Sequence, residues 1–241
     1  MNLLLLAPEE LSADGTATLS GRRARHAREV LAVSPGESLR AGVLGGRIGR
    51  ATVLRASAAE IRVRVELDSD PPPRPGVDLL LALPRPKALK KVLPAIASLG
   101  VDRVVLVNAA RVEKSYFDSK VLAPASLAEL LQQGLEQARD TQPPEVLVRE
   151  RFRPFVEDEL DALFAADPVR LAAHPSPDGA PAAFEGSAGK RALLAVGPEG
   201  GWVPFELELF ARCGFRRFSA GPRILRVEAA VPYLLGRLAA G

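Results

Sequence analysis

The chain has little with which to bind metal or cross-link itself. Of its 241 residues one is cysteine, Cys213, and two are histidines, His26 and His174. A single thiol excludes an internal disulfide and a cysteine-based zinc site, and so few soft ligands leave no basis for a metal cluster. No apolar run approaches the roughly 20 residues that a membrane helix needs. The apolar segment from Met1 to Pro8 is short and has no basic leader, so it reads as a first strand and not as a signal peptide. A cytoplasmic protein without membrane or metal partners is expected. The overall composition, 47% hydrophobic and 25% charged, is ordinary for a globular chain.

The net charge of +3 hides an uneven distribution. Between Ser20 and Arg64 there are ten arginines against three acids, Glu29, Glu37 and Glu60. Such an excess suits a polyanionic partner or, more simply, a soluble arginine-rich face. The sharpest boundary follows it. Prolines at 71, 72, 73 and 75 can continue neither a helix nor a sheet ladder, and they form a stiff linker. Two domains are expected, residues 1–72 and 73–241.

The first domain reads as a small β-barrel with one helix, around residues 21–31. A hairpin turns at Gly45-Gly46, and 60–66 alternates aliphatic and charged residues with the period of a strand. In the second domain strands alternate with helices, which predicts a mostly parallel sheet covered on both faces. Strands are expected at 77–83, 102–107, 145–148, 169–173, 192–196 and 215–218. Helices are expected at 87–99, 124–138, 155–166, 204–213 and 227–239, and a loop at 175–189.

Two glycine-containing turns carry the chemistry. Gly197-Pro198-Glu199-Gly200-Gly201 follows the apolar strand 192–196, and Gly221-Pro222-Arg223-Ile224-Leu225-Arg226-Val227-Glu228 follows 215–218. Turns at the carboxyl ends of strands are where open α/β sheets bind ligands. The first turn is neither a dinucleotide fingerprint nor a phosphate loop, because the glycine spacing differs and no Gly-Lys-Ser/Thr follows. The turn need not bind phosphate and can hold a flat, neutral or cationic group such as adenine or a sulfonium. A tight strand–helix turn without a ligand is the plainer alternative.

The two turns together resemble the paired signatures of the 16S ribosomal RNA uracil-N3 methyltransferases, a family of the SPOUT superfamily. Leu83-Pro84-Arg85-Pro86-Lys87 and Leu99-Gly100-Val101 are similar to the start of its catalytic domain, and Glu136-Gln137-Ala138-Arg139 with Pro143-Pro144 to its central element. His26 with Val30-Leu31 and Gly36 is similar to its amino-terminal motif. Ala229 departs from the family, which has threonine there.

The resemblance implies a PUA-like RNA-binding β-barrel followed by an α/β domain with a trefoil knot near its carboxyl end. It implies a homodimer that uses S-adenosylmethionine to methylate N3 of one uridine in 16S rRNA of the small ribosomal subunit. The cofactor residues would be His174, Gly197, Pro198, Glu199, Gly200, Gly201, Gly221, Ile224 and Leu225. Arg22, Arg23, Arg25, His26 and Lys87 would contact RNA.

Methyl transfer to N3 needs alignment of acceptor, methyl and sulfur, loss of the N3 proton, and stabilisation of the resulting anion. Arg226 or Arg139 can stabilise the anion with a fixed fork of donors, but neither is a base. Glu199 or Glu228 can accept the proton directly or through water. Trp202 either stacks on a base or adenine, or packs in the core. Uracil N3 lies on the pairing edge, so the target must be unpaired or flipped out. A non-catalytic RNA-binding protein with the same fold, and a methyltransferase for another RNA, are the competing readings.

Overall fold

A computed structural model describes residues 2–21, 23–25, 33–57, 59–164, 168–175, 191–219 and 221–239. Most of the helix expected around 21–31, with Arg22 and His26, lies outside these residues, as does nearly all of the expected loop 175–189. The chain forms two compact units. One comprises Met1–Pro73 and Leu135–Pro143, and the other Arg74–Gly134 and Pro144–Gly241.

The first unit is built on a five-stranded sheet of β1 (Leu4–Leu6), β2 (Thr16–Ser20), β3 (Ser38–Val43), β4 (Ile48–Ala56) and β5 (Glu60–Ser69), in the order β1-β3-β4-β5-β2. β1 runs parallel to β3 and the other pairs are antiparallel. The hairpin between β3 and β4 turns at Gly45, whose φ of 71° favours glycine. Along β5 Ile61, Val63 and Val65 are buried, while Glu60, Arg62, Arg64 and Glu66 are exposed. The inward set packs with Leu4, Leu6, Leu19, Ala51 and Val53 into one core. The described pairings leave β1 and β2 at the two ends of the strand order.

Leu135–Pro143 belongs to this unit because its backbone completes the hairpin. The N–H of Gly45 donates to the carbonyl of Thr141 at 2.7 Å, and the Thr141 hydroxyl donates to the carbonyl of Gly46. Arg139, in this segment, is the one non-glycine residue with positive φ among the described residues, at 62°. Nothing local in its sequence announces that geometry.

The second unit holds a six-stranded, wholly parallel sheet. Its strands are β6 (Val77–Ala82), β7 (Arg103–Val107), β8 (Glu145–Arg149), β9 (Val169–Ala173), β10 (Ala192–Val196) and β11 (Arg216–Phe218), in the order β11-β9-β10-β6-β7-β8. β6 and β10 are buried along their whole length, as strands covered on both faces must be. Four helices accompany the sheet: α1 (Pro86–Ser98), α2 (Pro124–Ala138, whose residues from Leu135 on belong to the first unit), α3 (Pro204–Arg212) and α4 (Val227–Ala239). Segment 152–163 is helical too, with a π-helical turn at Phe155–Glu159.

Close packing within this unit depends on Gly134. A Cβ there would lie 2.1 Å from the carbonyl oxygen of Pro94 in α1. After β8 the chain returns to the other side of β6, and β10 enters between β6 and β9. That reversal opens a crevice at the carboxyl ends of the central strands.

Candidate functional site

The crevice holds a cavity of about 280 Å³, at the small end of ligand-site volumes. Its walls come from the ends of β9 (Ala173, His174), β10 (Val196) and β11 (Phe218), from both glycine turns, and from α4 (Val227, Ala230, Leu234). Two loops 24 residues apart in sequence therefore bound one space, from Gly197 to Gly221. The crossover topology places parallel strand ends side by side.

The first turn is closed by the N–H of Gly201 donating to the carbonyl of Pro198 at 2.8 Å, with Gly201 at a φ of 72°. Gly197 leaves little room for a side chain. A Cβ there would lie 3.2 Å from the backbone nitrogen of Trp202 and 3.3 Å from its indole. Trp202 is buried, with Phe210 edge-on at 4.9 Å and Phe152 at 5.8 Å. It is thus a core aromatic that is also among the cavity's walls.

The second turn is organised by Ser219, which is buried and whose Oγ accepts from the N–H of Gly221 at 3.2 Å. Gly221 adopts a φ of 105°. Ile224 lies at the rim and is 89% exposed.

Of the four buried side-chain polar atoms without a hydrogen-bond partner among the described residues, two belong to residues of this cavity, Nδ1 of His174 and Nε1 of Trp202. Buried polar groups are rarely left unpaired, so each of these atoms is open to a water or a ligand atom. Burial, reinforced by the Arg217 charge, holds the His174 imidazole below its ordinary pKa and so favours its neutral form. The backbone N–H of His174 is anchored to the carbonyl of Phe218 at 2.9 Å.

The cavity brings together His174, Gly197, Pro198, Glu199, Gly200, Gly201, Gly221, Ile224 and Leu225. Glu199 is the one acid among its walls, and its carboxylate accepts from the backbone N–H of Arg85 at 3.3 Å and lies 3.7 Å from Nε of the same arginine. Arg226 and Glu228 do not line the cavity, although Leu225 and Val227 on either side of Arg226 do. Arg226 is exposed, and its carbonyl accepts the first amides of α4, from Ala229 and Ala230. Glu228 is half-buried in the first turn of that helix.

The remaining candidates are not among the walls of this cavity. Arg139 lines a separate cleft of about 690 Å³ in the first unit, with Arg40, Arg50, Asp68 and Asp70. Arg23 is engaged within its own fold, donating to the Glu10 carboxylate and, at 3.2 Å, to the carbonyl of Leu5. Arg25 is exposed, and Lys87 is exposed in the first turn of α1.

Arg111 lines the cavity and has no motif around it. It follows β7 and donates from Nη1 to the carbonyl of Gly200. A Cβ on Gly200 would lie 2.8 Å from the Arg111 Cδ, so the arginine packs directly against the glycine. Only the pairing of β7 with β6 brings Arg111 near the turn after β10, and no local pattern reports that.

A family model described as an RNA methyltransferase domain matches residues 71–239. The chain is 32% identical over 236 residues to the ribosomal RNA small subunit methyltransferase E of Treponema pallidum, covering 95% of this chain and 87% of that protein. It is 26% identical to the protein of the same name from Synechocystis, covering 98% and 76% of the two chains. Its fold is similar to that of a ribosomal RNA small subunit methyltransferase E from Neisseria gonorrhoeae bound to S-adenosyl methionine. That match has a TM-score of 0.74 and 21% identity, over 98% of this chain and 96% of the other. A methyltransferase from Legionella pneumophila, also solved with this cofactor, gives a TM-score of 0.71 at 23% identity, over 99% and 97% of the two chains.

Proposed function

The chain belongs to the RNA methyltransferase family of the ribosomal RNA small subunit methyltransferase E proteins, and from that premise we propose how this S-adenosylmethionine-dependent enzyme works. It methylates N3 of a uridine in 16S rRNA, in the cytoplasm. The observation that carries the reading is the convergence of both glycine turns on one cavity holding two unpartnered buried polar atoms.

The cavity's residues suit the methyl donor, which supplies a methyl group on a sulfonium. Val196, Phe218, Leu225 and Leu234 offer an apolar slot, and the two turns offer backbone amides and carbonyls at close range. His174 Nδ1 and Trp202 Nε1 would pair with polar atoms of the donor. Glu199 at this cavity accepts the N3 proton, directly or through water. Arg226, at the head of α4, holds the uracil carbonyls and stabilises the anion left by that proton.

Grip on the RNA falls to the first unit, read as a PUA-like barrel. Arg40 and Arg50 stand directly opposite one another on β3 and β4, and Arg139 lines the same cleft. Like charges opposed across a sheet repel, and a phosphate between them removes the repulsion. The order of β9, β10 and β11 supports a knotted carboxyl-terminal path. The exposed Ile224 and the half-exposed Tyr233 support a homodimer.

The deciding experiment is mass spectrometry of nucleosides from small-subunit rRNA incubated with the protein and S-adenosylmethionine. N3-methyluridine is expected. A different modified nucleoside would reassign the target. No modification, together with no calorimetric binding of the donor, would make the protein a non-catalytic RNA binder.

A further inference from the structure

The acid best placed to shape the donor cavity is one that never touches it. Glu206, in the first turn of α3, is 2% exposed and has no cationic partner among the ion pairs of the described residues. Its two carboxylate oxygens are both used by backbone amides. Oε2 accepts from the N–H of Val203 at 2.8 Å, the helix-closing contact expected of an acid at this position. Oε1 accepts from the N–H of Ala110 at 2.7 Å, 96 residues away in sequence.

Ala110 precedes Arg111 in a tight turn closed by the N–H of Val112 donating to the carbonyl of Ala109 at 3.0 Å. Arg111 then lies along Gly200 and donates to its carbonyl. One buried carboxylate therefore pins the loop after β7 to the start of α3, and the pinned loop carries the arginine that braces the glycine turn. A buried carboxylate is expensive to desolvate, and as a mere helix cap Glu206 would need only its bond to Val203.

We propose that Glu206 is a positioning residue for methyl-donor binding, acting through Arg111 to hold the Gly197–Gly201 turn in its binding shape. The inference rests on the assignment of the cavity to S-adenosylmethionine. Glu206→Gln places an amide N–H₂ against one of two backbone donors and so breaks one of the two bonds. Ala110→Pro removes the distant donor at a turn position that proline favours, and its ring carbon takes the place of the N–H against Oε1, so that contact is broken outright.

The test is calorimetric titration of the full-length protein with S-adenosylmethionine, in wild type, Glu206→Gln, Ala110→Pro, Arg111→Ala and the double variant Glu206→Gln/Arg111→Ala. Each single variant is expected to weaken donor binding about tenfold, and the double variant no further than Arg111→Ala alone. The RNA Michaelis constant should stay at the wild-type value. Unchanged donor affinity in Ala110→Pro and in folded Glu206→Gln, with only a lowered melting temperature, would overturn the proposal. Additive losses in the double variant would overturn the route through Arg111. Failure of the wild type to bind the donor would instead remove the cavity assignment on which the inference stands.

Discussion

The two units use β-sheet in opposite ways. In the first, β5 alternates buried and exposed residues, so charge stands along the whole strand. In the second, β6 and β10 are buried throughout, and function is confined to the loops where strands end. An antiparallel sheet with one wet face can present arginines over an area, which suits an extended polyanion. A parallel sheet covered on both faces can offer only the crevice at its strand ends, which suits a small ligand. The division of labour proposed here, RNA on the first unit and methyl donor on the second, follows from that difference.

The comparison breaks most sharply if one unit is destroyed and the other keeps its ligand. A Cβ on Gly49 would lie 1.9 Å from the carbonyl oxygen of Glu66 across the sheet. Gly49→Ala should collapse the first unit and weaken RNA binding by about 100-fold or more, as loss of several phosphate contacts would. Donor affinity, read by calorimetry, should change less than about twofold if the units are separable. Arg226→Ala should reduce turnover by about 100-fold in a single-turnover assay while donor affinity holds, the loss typical of one electrostatic contact to a developing anion.

A gentler probe of the second unit is Gly197→Val, whose side chain would press on the Trp202 backbone and indole. Donor binding should fall about 30-fold with RNA affinity intact, a loss in the range of core overpacking. On the first unit, Arg40→Gln with Arg50→Gln should weaken RNA about tenfold, and the slope of affinity against salt should fall by about two. An unchanged slope would move the RNA grip to another face.

The smallest effect is one of sign. The Arg23 guanidinium bonded to Glu10 holds that carboxyl below the usual range, so its contribution is present above the unfolded value and lost as pH falls through the folded one. Burial pushes the Asp78 carboxyl up despite its bond to Arg191 at 2.8 Å, so stability here rises as pH falls through the folded value toward the unfolded one. Relative to wild type, Glu10→Gln should therefore lose its deficit on acidification. Asp78→Asn should lose whatever advantage it holds at neutral pH. Each shift is expected to be about 2 °C in melting temperature, read by calorimetry between neutral and acidic pH.

Much of the local structure was legible because it depends on neighbours in the chain. The alternation of 60–66, the stop at Gly100 and the strand–glycine order of 192–201 each have a short-range cause, and the strands and helices appear close to where these signals place them. The same signals place both turns at strand ends. The second strand, Thr16–Ser20, has no such signal, because Thr-Ala-Thr-Leu-Ser is too short and mixed to read. Nothing in the sequence shows that the backbone around Arg139 belongs with the β3–β4 hairpin, or that Arg139 lines the arginine cleft. Arg111 and Glu206 carry no motif at all.

Sequence alone determined most elements of the second unit and the two bends that bear the family's signatures, because backbone preference and hydrophobic period act over a few residues. Tertiary structure alone decided that those bends share a cavity, that Arg111 braces one of them, and that Leu135–Pro143 completes the first sheet's hairpin. Such contacts join residues that are distant along the chain. They arise from the order in which strands enter a sheet, and that order is set by the packing of the whole domain and leaves no mark on any short segment.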